Sequence, residues 1–330
     1  MEIRRIVYAG TLAAVLAAVP LLVPAAAHGR PAAAPAGSGA AHARPAAAPG
    51  SGAAHARPAA LPVSRMEAIL GADGDVTHGV LGVEPVRSDL HVRGGAAQVR
   101  FVPDFGIHHD LYFQPLPGGR ALFNGDIAVR AAEIPRALDA MLSRGLEVQA
   151  EHQHLYDLEP MVWFLHLRGT GQPLALARAV RAVLDATATP LPQHRAAHPA
   201  TTLPAAELGR ILHGDATVGD DGVVTVVVPR TDRIVLGGVP VSPDLNVSTN
   251  VEFQPLPGGR AAVLPDFSMT SAEIRPVLTT LRRSGWEIGC LYNQETAEHP
   301  QLYFSHAFAT GDPVALARQI REAVAHTAVP

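Results

Sequence analysis

The sequence predicts an α+β fold in which one structural unit occurs twice in tandem. A nine-residue segment beginning at Phe113 recurs word for word at Phe253, and the 140-residue spacing then holds to the end of both copies. In each copy, strand-like patterns give way to helical ones in the same order. Two segments that keep one spacing over so long a stretch share one backbone. We therefore expect two copies of an αβββ-α-ββ-α unit, with antiparallel sheets and helices packed on one face.

The N-terminal residues have the layout of a signal peptide, assigned to residues 1–27. Arg4 and Arg5 precede an apolar run from Ile6 to Ala27 that ends in small residues. This order is typical of a cleavable export signal, read by the Sec or the twin-arginine route. We expect a secreted or cell-envelope protein that meets the membrane only through this segment, if it stays uncleaved.

Residues 28–62 predict a disordered linker rich in alanine and proline. The segment from Pro31 to Arg44 is nearly duplicated from Pro45 to Arg57. Such tracts contain too little apolar side chain to offset the conformational entropy lost on folding. The linker is followed by the first repeat domain, residues 63–190, and the second, residues 191–330.

The second copy shows the order of elements most clearly. A short helix over 205–212 precedes strands over 223–228, 233–241, 247–253 and 261–264. A helix capped by Thr270 or Ser271 runs to Arg283, because apolar residues recur at helical spacing and Gly285 ends the pattern. Two further strands, 286–293 and 302–309, lead to a last helix that Pro313 opens.

Composition excludes several classes of function. The formal net charge is −4 and all 26 basic residues are arginine, so no basic stripe indicates nucleic acid and no lysine is present for Schiff-base chemistry. Cys290 is the single cysteine, which excludes an intramolecular disulfide and a cysteine-rich zinc site. Any metal would therefore be held by histidines and carboxylates.

A candidate metal site lies in the first repeat. His152 and His154 are two residues apart on a predicted strand, so their side chains project to the same face. If this strand folds back on the next, His166 falls nearly opposite His152 and supplies a third imidazole, although an odd register would turn it away. Three imidazoles with an open position are a typical zinc site, so zinc or a similar divalent metal is the candidate cofactor.

Further polar residues are candidate supporting groups: His108, His109, Asp126 and Glu133. Each also has a structural interpretation. Histidines on half-buried strands often bond to backbone carbonyls or carboxylates, and an acid that follows a strand often anchors a turn. Glu133 lies near a helix start, where the helix dipole favours a carboxylate.

Several segments of the first repeat form a recognisable set: Gly125-Asp126, the helix with Glu133, His152-Gln153-His154, Phe164-Leu165-His166 and the helix start from Gly171 to Arg178. Together they resemble the LppY/LpqO family of exported bacterial proteins, whose molecular function is unassigned, and the resemblance extends over both repeats. The second repeat departs from the histidine element, with Tyr292, Asn293 and Gln294. The resemblance thus implies one histidine-rich half and one diverged half.

Two functions remain open from the sequence. The first is a non-enzymatic envelope or extracellular protein that binds a cell-wall or small-molecule ligand, since duplication suits binding. The second is a metal-dependent hydrolase acting from His152, His154 and His166, with the second repeat as scaffold.

Overall fold

The computed structural model describes residues 59–330. The predicted signal peptide and the predicted linker up to residue 58 lie outside the described residues. Within residues 59–330, none of the helices combines the length and the apolar character needed to cross a bilayer.

The first repeat begins with a helix and alternates strands and helices after it. A 3₁₀ turn, Pro117–Gly119, joins its two central strands. Its elements in chain order are α1 Val63–Leu70, β1 Gly74–Thr77, β2 Val80–Val83, β3 Arg93–Gly94, β4 Val99–Arg100, β5 Asp110–Leu116, β6 Arg120–Val129, α2 Ile134–Ser143, β7 Glu147–His152, β8 Trp163–Gly171 and α3 Pro173–Leu184.

The second repeat has the same order of main elements. They are α4 Ala205–Leu212, β9 Asp215–Val218, β10 Val224–Val228, β11 Val235–Leu236, β12 Val239–Pro240, β13 Thr249–Leu256, β14 Arg260–Thr270, α5 Ser271–Arg283, β15 Glu287–Ile288, β16 Glu298–His299, β17 Leu302–Gly311 and α6 Pro313–Val324. The predicted helix that ends at Arg283 is α5, and Thr270 and Glu273 form a capping box at its start.

Each repeat forms a six-stranded antiparallel sheet with the same strand order. The orders are β1-β2-β5-β6-β8-β7 and β9-β10-β13-β14-β17-β15. The predicted tandem α+β fold is thereby confirmed. The sequence pattern predicted three strands before the second helix of each repeat. Each main sheet has four there, because a hairpin such as β1–β2 follows the first helix.

Two predicted strands of the second repeat are shorter than expected. The segment 233–241 is a small hairpin, β11–β12, because Gly237 and Gly238 turn the chain with φ of 53° and 84°. The segment 286–293 keeps only β15 and an isolated bridge from Tyr292 to Phe304. The strand breaks at Gly289, where any Cβ would collide with the carbonyl oxygen of His154 from the other repeat.

The helices of each repeat cover the outer face of its own sheet. In β6 the alternate residues Phe123 and Ile127 pack with Met141 of α2, and this cluster contains first-repeat residues only. An equivalent cluster in the second repeat includes Phe267 of β14 and Leu281 of α5. Period-two alternation therefore sends one set of strand residues to the helices and the other set to the opposite face.

The inner faces of the two sheets share apolar clusters within one compact unit. Ala128 and Phe164 of the first repeat pack with Leu264 and Phe308 of the second. The polar residues on these inner faces, described below, are consequently buried between the repeats.

The repeated motif that reveals the duplication also fastens the repeats together. Gln254 accepts a hydrogen bond from the N–H of Val102 at 2.9 Å and donates one to the carbonyl of Arg100 at 2.9 Å. Gln114 makes the same pair of bonds to Ser242 at 2.7 Å and Pro240 at 3.0 Å. Each glutamine thus holds a loop of the opposite repeat.

Candidate metal centre

Two equivalent acid–histidine pairs lie on the inner faces of the sheets. Asp126 of β6 is opposite His166 of β8, and Asp266 of β14 is opposite His306 of β17. The distance is 3.6 Å from Asp126 Oδ2 to His166 Nε2 and 3.8 Å from Asp266 Oδ1 to His306 Nδ1. The duplication therefore brings one such pair from each repeat to the interface.

His152 and His154 lie at the end of β7 and face the same interface. Their ring centroids are 5.2 Å apart. His152 is opposite Phe164, while His166 is opposite Ala150, two positions earlier on β7. The register keeps His152 and His166 on one face, with ring centroids 5.0 Å apart.

Three imidazoles lie close together at the interface, and the third of them, His306, belongs to the second repeat. Potential ligand atoms of His152, His154 and His306 all lie within 4.8 Å of one another. His166, the third ligand expected from the sequence, stands beside Asp126 instead. The 140-residue spacing relates His306 to His166, and from the sequence this shared histidine indicated a structural role in both repeats.

Burial keeps these three histidines neutral. Burial and the neighbouring histidines lower the pKa of His152 and of His154 well below the usual range. Burial, followed by His166, lowers the pKa of His306 to about 3. A neutral imidazole is the form that binds a metal, so the three rings are ready to act as ligands near neutral pH.

Hydrogen bonds orient two of the three rings. His154 Nδ1 lies 3.1 Å from the carbonyl oxygen of Gly106, and His306 Nδ1 lies 3.3 Å from Cys290 Sγ. Among the described residues, neither ring nitrogen of His152 has a hydrogen-bond partner, although the residue is only 7% exposed. A buried polar atom without a partner is costly and calls for an explanation.

Aromatic stacking packs the imidazoles tightly. His154 is sandwiched between Phe164, at a centroid distance of 3.4 Å, and His306, at 3.7 Å. Tyr292 stacks on His152 at 3.7 Å. These contacts limit rotation of the rings and exclude water from their faces.

A small cavity of about 30 Å³ adjoins the histidines, and both His154 and His306 line it. Four carboxyl groups also line it: Asp110, Asp126, Glu252 and Asp266. A space of this size holds one or two water-sized species.

Three of the carboxyl groups of the cavity, those of Asp126, Glu252 and Asp266, resist ionisation. Burial raises the pKa of Glu252 to about 8, although His108 opposes the shift. Burial, with repulsion from Asp110, raises the pKa of Asp126 and of Asp266 well above the usual range. The crowding of acids would be relieved by a cation in their midst.

His108 is the positive partner of this acidic group. Its Nε2 is 3.3 Å from Asp110 Oδ1 and 3.6 Å from Glu252 Oε1. Burial disfavours the imidazolium, but Glu252 and Asp110 outweigh burial and raise the His108 pKa well above the usual range. His108 therefore balances charge at the cavity and is a poor metal ligand when protonated.

His109 and Glu133, also selected from the sequence, do not line this cavity. His109 accepts from the N–H of Ala128 at 3.0 Å and contacts Thr189 Oγ1 at 2.7 Å, so both its nitrogens are engaged. Glu133 accepts hydrogen bonds from the buried guanidinium of Arg87 at 2.9 and 3.3 Å. Both residues hold the fold together.

The second repeat contains the same ion pair as the first. Glu273 accepts from Arg230 at 2.9 and 3.1 Å, and also from the N–H of Thr270 at 2.7 Å. This repeated arrangement shows that Glu133 and Glu273 fasten the start of a helix to a strand-connecting loop.

The fold and the buried centre define a class of protein in which two copies of an α+β unit enclose one shared polar cavity. A family model described as Domain of Unknown Function (DUF1259) matches the chain twice, at residues 64–186 and 206–326. The chain belongs to this family, and the two matches correspond to the two repeats.

Other comparisons add little. No curated protein matches the chain. The crystal structure of a trimeric bacterial microcompartment shell protein, PduB, aligns with 77% of this chain and 89% of that chain at 10% sequence identity. Its TM-score of 0.19 is too low to support an argument about fold or function.

Proposed function

We propose that the protein is a non-enzymatic, exported binding protein that holds one divalent transition-metal ion, zinc or a similar one, between its repeats. His152, His154 and His306 are the proposed ligands. The observation that carries the proposal is the buried imidazole of His152, which lacks hydrogen-bond partners among the described residues and lies beside two more neutral imidazoles. An ion would occupy the lone pairs that burial leaves unused.

The histidines must change their ring orientation to bind one ion. Zinc lies about 2.0–2.1 Å from each imidazole nitrogen, so nitrogens sharing an ion are about 3.4 Å apart in tetrahedral geometry. The ligand atoms here lie within 4.8 Å of one another. His154 and His306 stack at 3.7 Å with an interplanar angle of 18°, so binding requires the nitrogens to approach and one of these two rings to tilt until both lone pairs point at the ion.

The surroundings suit a resident cation. Asp266 and Cys290 both lie near His306 Nδ1, at 3.8 and 3.3 Å, and such neighbours orient a ligating ring. The carboxyl groups of the adjoining cavity are further oxygen donors, and a cation would relieve their mutual repulsion. Oxygen and nitrogen donors of this kind favour zinc and its neighbours over softer ions.

The size of the cavity favours binding over hydrolysis. About 30 Å³ accepts an ion with a water molecule, whereas organic ligands occupy pockets of about 300–1,000 Å³. The small cavity is our reason for proposing a metal-binding role in preference to the metal-dependent hydrolase considered from the sequence.

Export and family form part of the same proposal. The signal-peptide layout of residues 1–27 and the spacer of residues 28–62 support a secreted or envelope location. The histidine element and its neighbours support the closer resemblance to the LppY/LpqO family. A metal bound outside the cytoplasm would depend on histidines in this way, because the chain has one cysteine only.

Metal analysis of the purified mature protein tests the proposed function. The wild type dialysed against zinc is expected to retain one equivalent, and the double variant His152→Ala/His154→Ala is expected to retain none. A matched control replaces two exposed histidines, His91→Ala/His198→Ala, and should retain one equivalent. A wild type without bound zinc, or a loss that the control shares, would overturn the proposal.

A further inference from the structure

A second group of side chains corresponds to the metal centre by the 140-residue spacing. The 140-residue spacing relates His152 to Tyr292 and His154 to Gln294, and it relates His306 to His166. The ring of His152 lies 5.7 Å from that of His306, and the ring of Tyr292 lies 5.7 Å from that of His166. The two groups are related by exchange of the repeats.

The contacts of Gln294 support this equivalence. Gln294 donates a hydrogen bond to the carbonyl oxygen of Asn246, just as His154 Nδ1 contacts the carbonyl oxygen of Gly106. Asn246 and Gly106 are themselves 140 residues apart. The backbone thus offers the same anchor in both groups, and glutamine stands where a histidine stands in the first.

The burial of His166 is a second, separate observation that suggests a metal-ligand position. Its side chain is 2% exposed, and neither ring nitrogen has a hydrogen-bond partner among the described residues. The Oε1 atom of Gln294 is also buried and has no hydrogen-bond partner among the described residues.

We propose that His166, Tyr292 and Gln294 form a second transition-metal site that lacks two of its three imidazoles, and that histidines at positions 292 and 294 complete it. This inference rests on the proposed function of the first site. The missing imidazoles limit the native chain to one ion. Asp126, 3.6 Å from His166 Nε2, corresponds to Asp266, 3.8 Å from His306 Nδ1, so a carboxyl group stands beside the histidine in both groups.

The replacement side chains fit the available space. Histidine is smaller than tyrosine and similar in size to glutamine, so neither change overpacks the interface. Tyr292 also stacks on His152, at 3.7 Å with an interplanar angle of 15°. In the native chain this ring therefore supports the first site while its own group binds no ion.

Zinc stoichiometry in four versions of the mature chain tests the inference. We expect one equivalent in the wild type, two in Tyr292→His/Gln294→His, none in His152→Ala/His154→Ala, and one in the variant that combines all four substitutions. A combined variant without zinc, with the double variant Tyr292→His/Gln294→His at the wild-type level, overturns the second site. A wild type without zinc overturns the proposed function instead, so the two failures are distinguishable.

A single substitution covers the case in which loss of the Tyr292 ring unfolds the chain. Gln294→His keeps Tyr292 and places an imidazole at the position that corresponds to His154. We expect a second, weaker zinc equivalent that disappears when His166→Ala is added, measured by competition with a chelating dye. Equal second-site binding with and without His166, or no second equivalent in Gln294→His, would count against the inference.

Discussion

The imidazole rings of His154 and His306 stack at a centroid distance of 3.7 Å, although the two residues belong to different repeats. His306 stands on β17, opposite Asp266 of β14, while His154 follows β7 of the other sheet. The centre therefore exists only when both sheets are docked. This arrangement divides the candidate ligands between two copies of one unit and leads to four predictions.

Removal of the second-repeat histidine, His306, is expected to weaken zinc binding strongly. His306→Ala should weaken zinc binding by about two orders of magnitude, because one of three imidazole ligands is lost. His166→Ala should retain one equivalent, because His166 is outside the close group of three. Metal analysis and competition with a chelator measure both effects. If His166→Ala loses zinc and His306→Ala keeps it, the ligand set deduced from the sequence is the correct one.

The glutamines of the repeated motif are expected to stabilise the docking of the repeats. Gln254→Ala removes two hydrogen bonds to backbone groups and should lower the free energy of unfolding by about 1–3 kcal/mol. Gln114→Ala should lower it less, because its bond to Pro240 is exposed. Urea unfolding gives the values. Arg120→Ala, an exposed change in the same motif, should stay within about 0.5 kcal/mol, and an equal loss there would contradict the prediction.

The buried Arg87–Glu133 ion pair of the first repeat is expected to contribute more stability than the Arg230–Glu273 pair of the second repeat. Glu133→Ala leaves the Arg87 side chain, which is 0% exposed, with Asp89 as its remaining acid partner. Breaking a buried pair of this kind costs about 3–5 kcal/mol. Glu273→Ala should cost less, since the Glu273 side chain is 15% exposed against 4% for Glu133.

Chemical denaturation of both variants measures these losses. Zinc stoichiometry should be unchanged in folded Glu133→Ala, since Glu133 does not line the cavity. Equal losses of stability in the two variants would contradict the prediction that the more buried glutamate contributes more.

The buried acid Glu298 is expected to make the protein less stable as the pH rises. Burial raises its folded-state pKa to about 7 from the ordinary 4.5. Between these two pH values the unfolded chain releases the proton first, so stability is full below pH 4.5 and falls until about pH 7. At about 1.4 kcal/mol per pKa unit, the loss reaches up to about 3 kcal/mol at pH 8.

The variant Glu298→Gln should lack this dependence. Glutamine keeps an oxygen that can accept from the N–H of Leu302, as Glu298 Oε1 does. The stability of the variant relative to the wild type should therefore rise between pH 4.5 and pH 8, measured by urea unfolding. A constant difference between the two proteins across this range would rule out an ionisation of Glu298 as the cause.

Much of the local structure could be predicted from the sequence. The helix α5 follows from its apolar spacing, the Thr270 cap and the stop at Gly285. The side-by-side placement of His152 and His154 follows from the two-residue period of a strand. The break of β15 at Gly289 could not be predicted, because it arises from the approach of His154 from the other repeat.

The sequence alone determined that the chain contains two copies of one α+β unit and that one copy lacks the paired histidines. These properties are local or periodic patterns, so they can be recognised in the sequence itself. The tertiary structure decided that His306, rather than His166, completes the group with His152 and His154. The identity of the third histidine depends on how the two sheets dock through their inner faces. Contacts between residues so distant in sequence produce no local pattern in the sequence, so they could not be predicted from it.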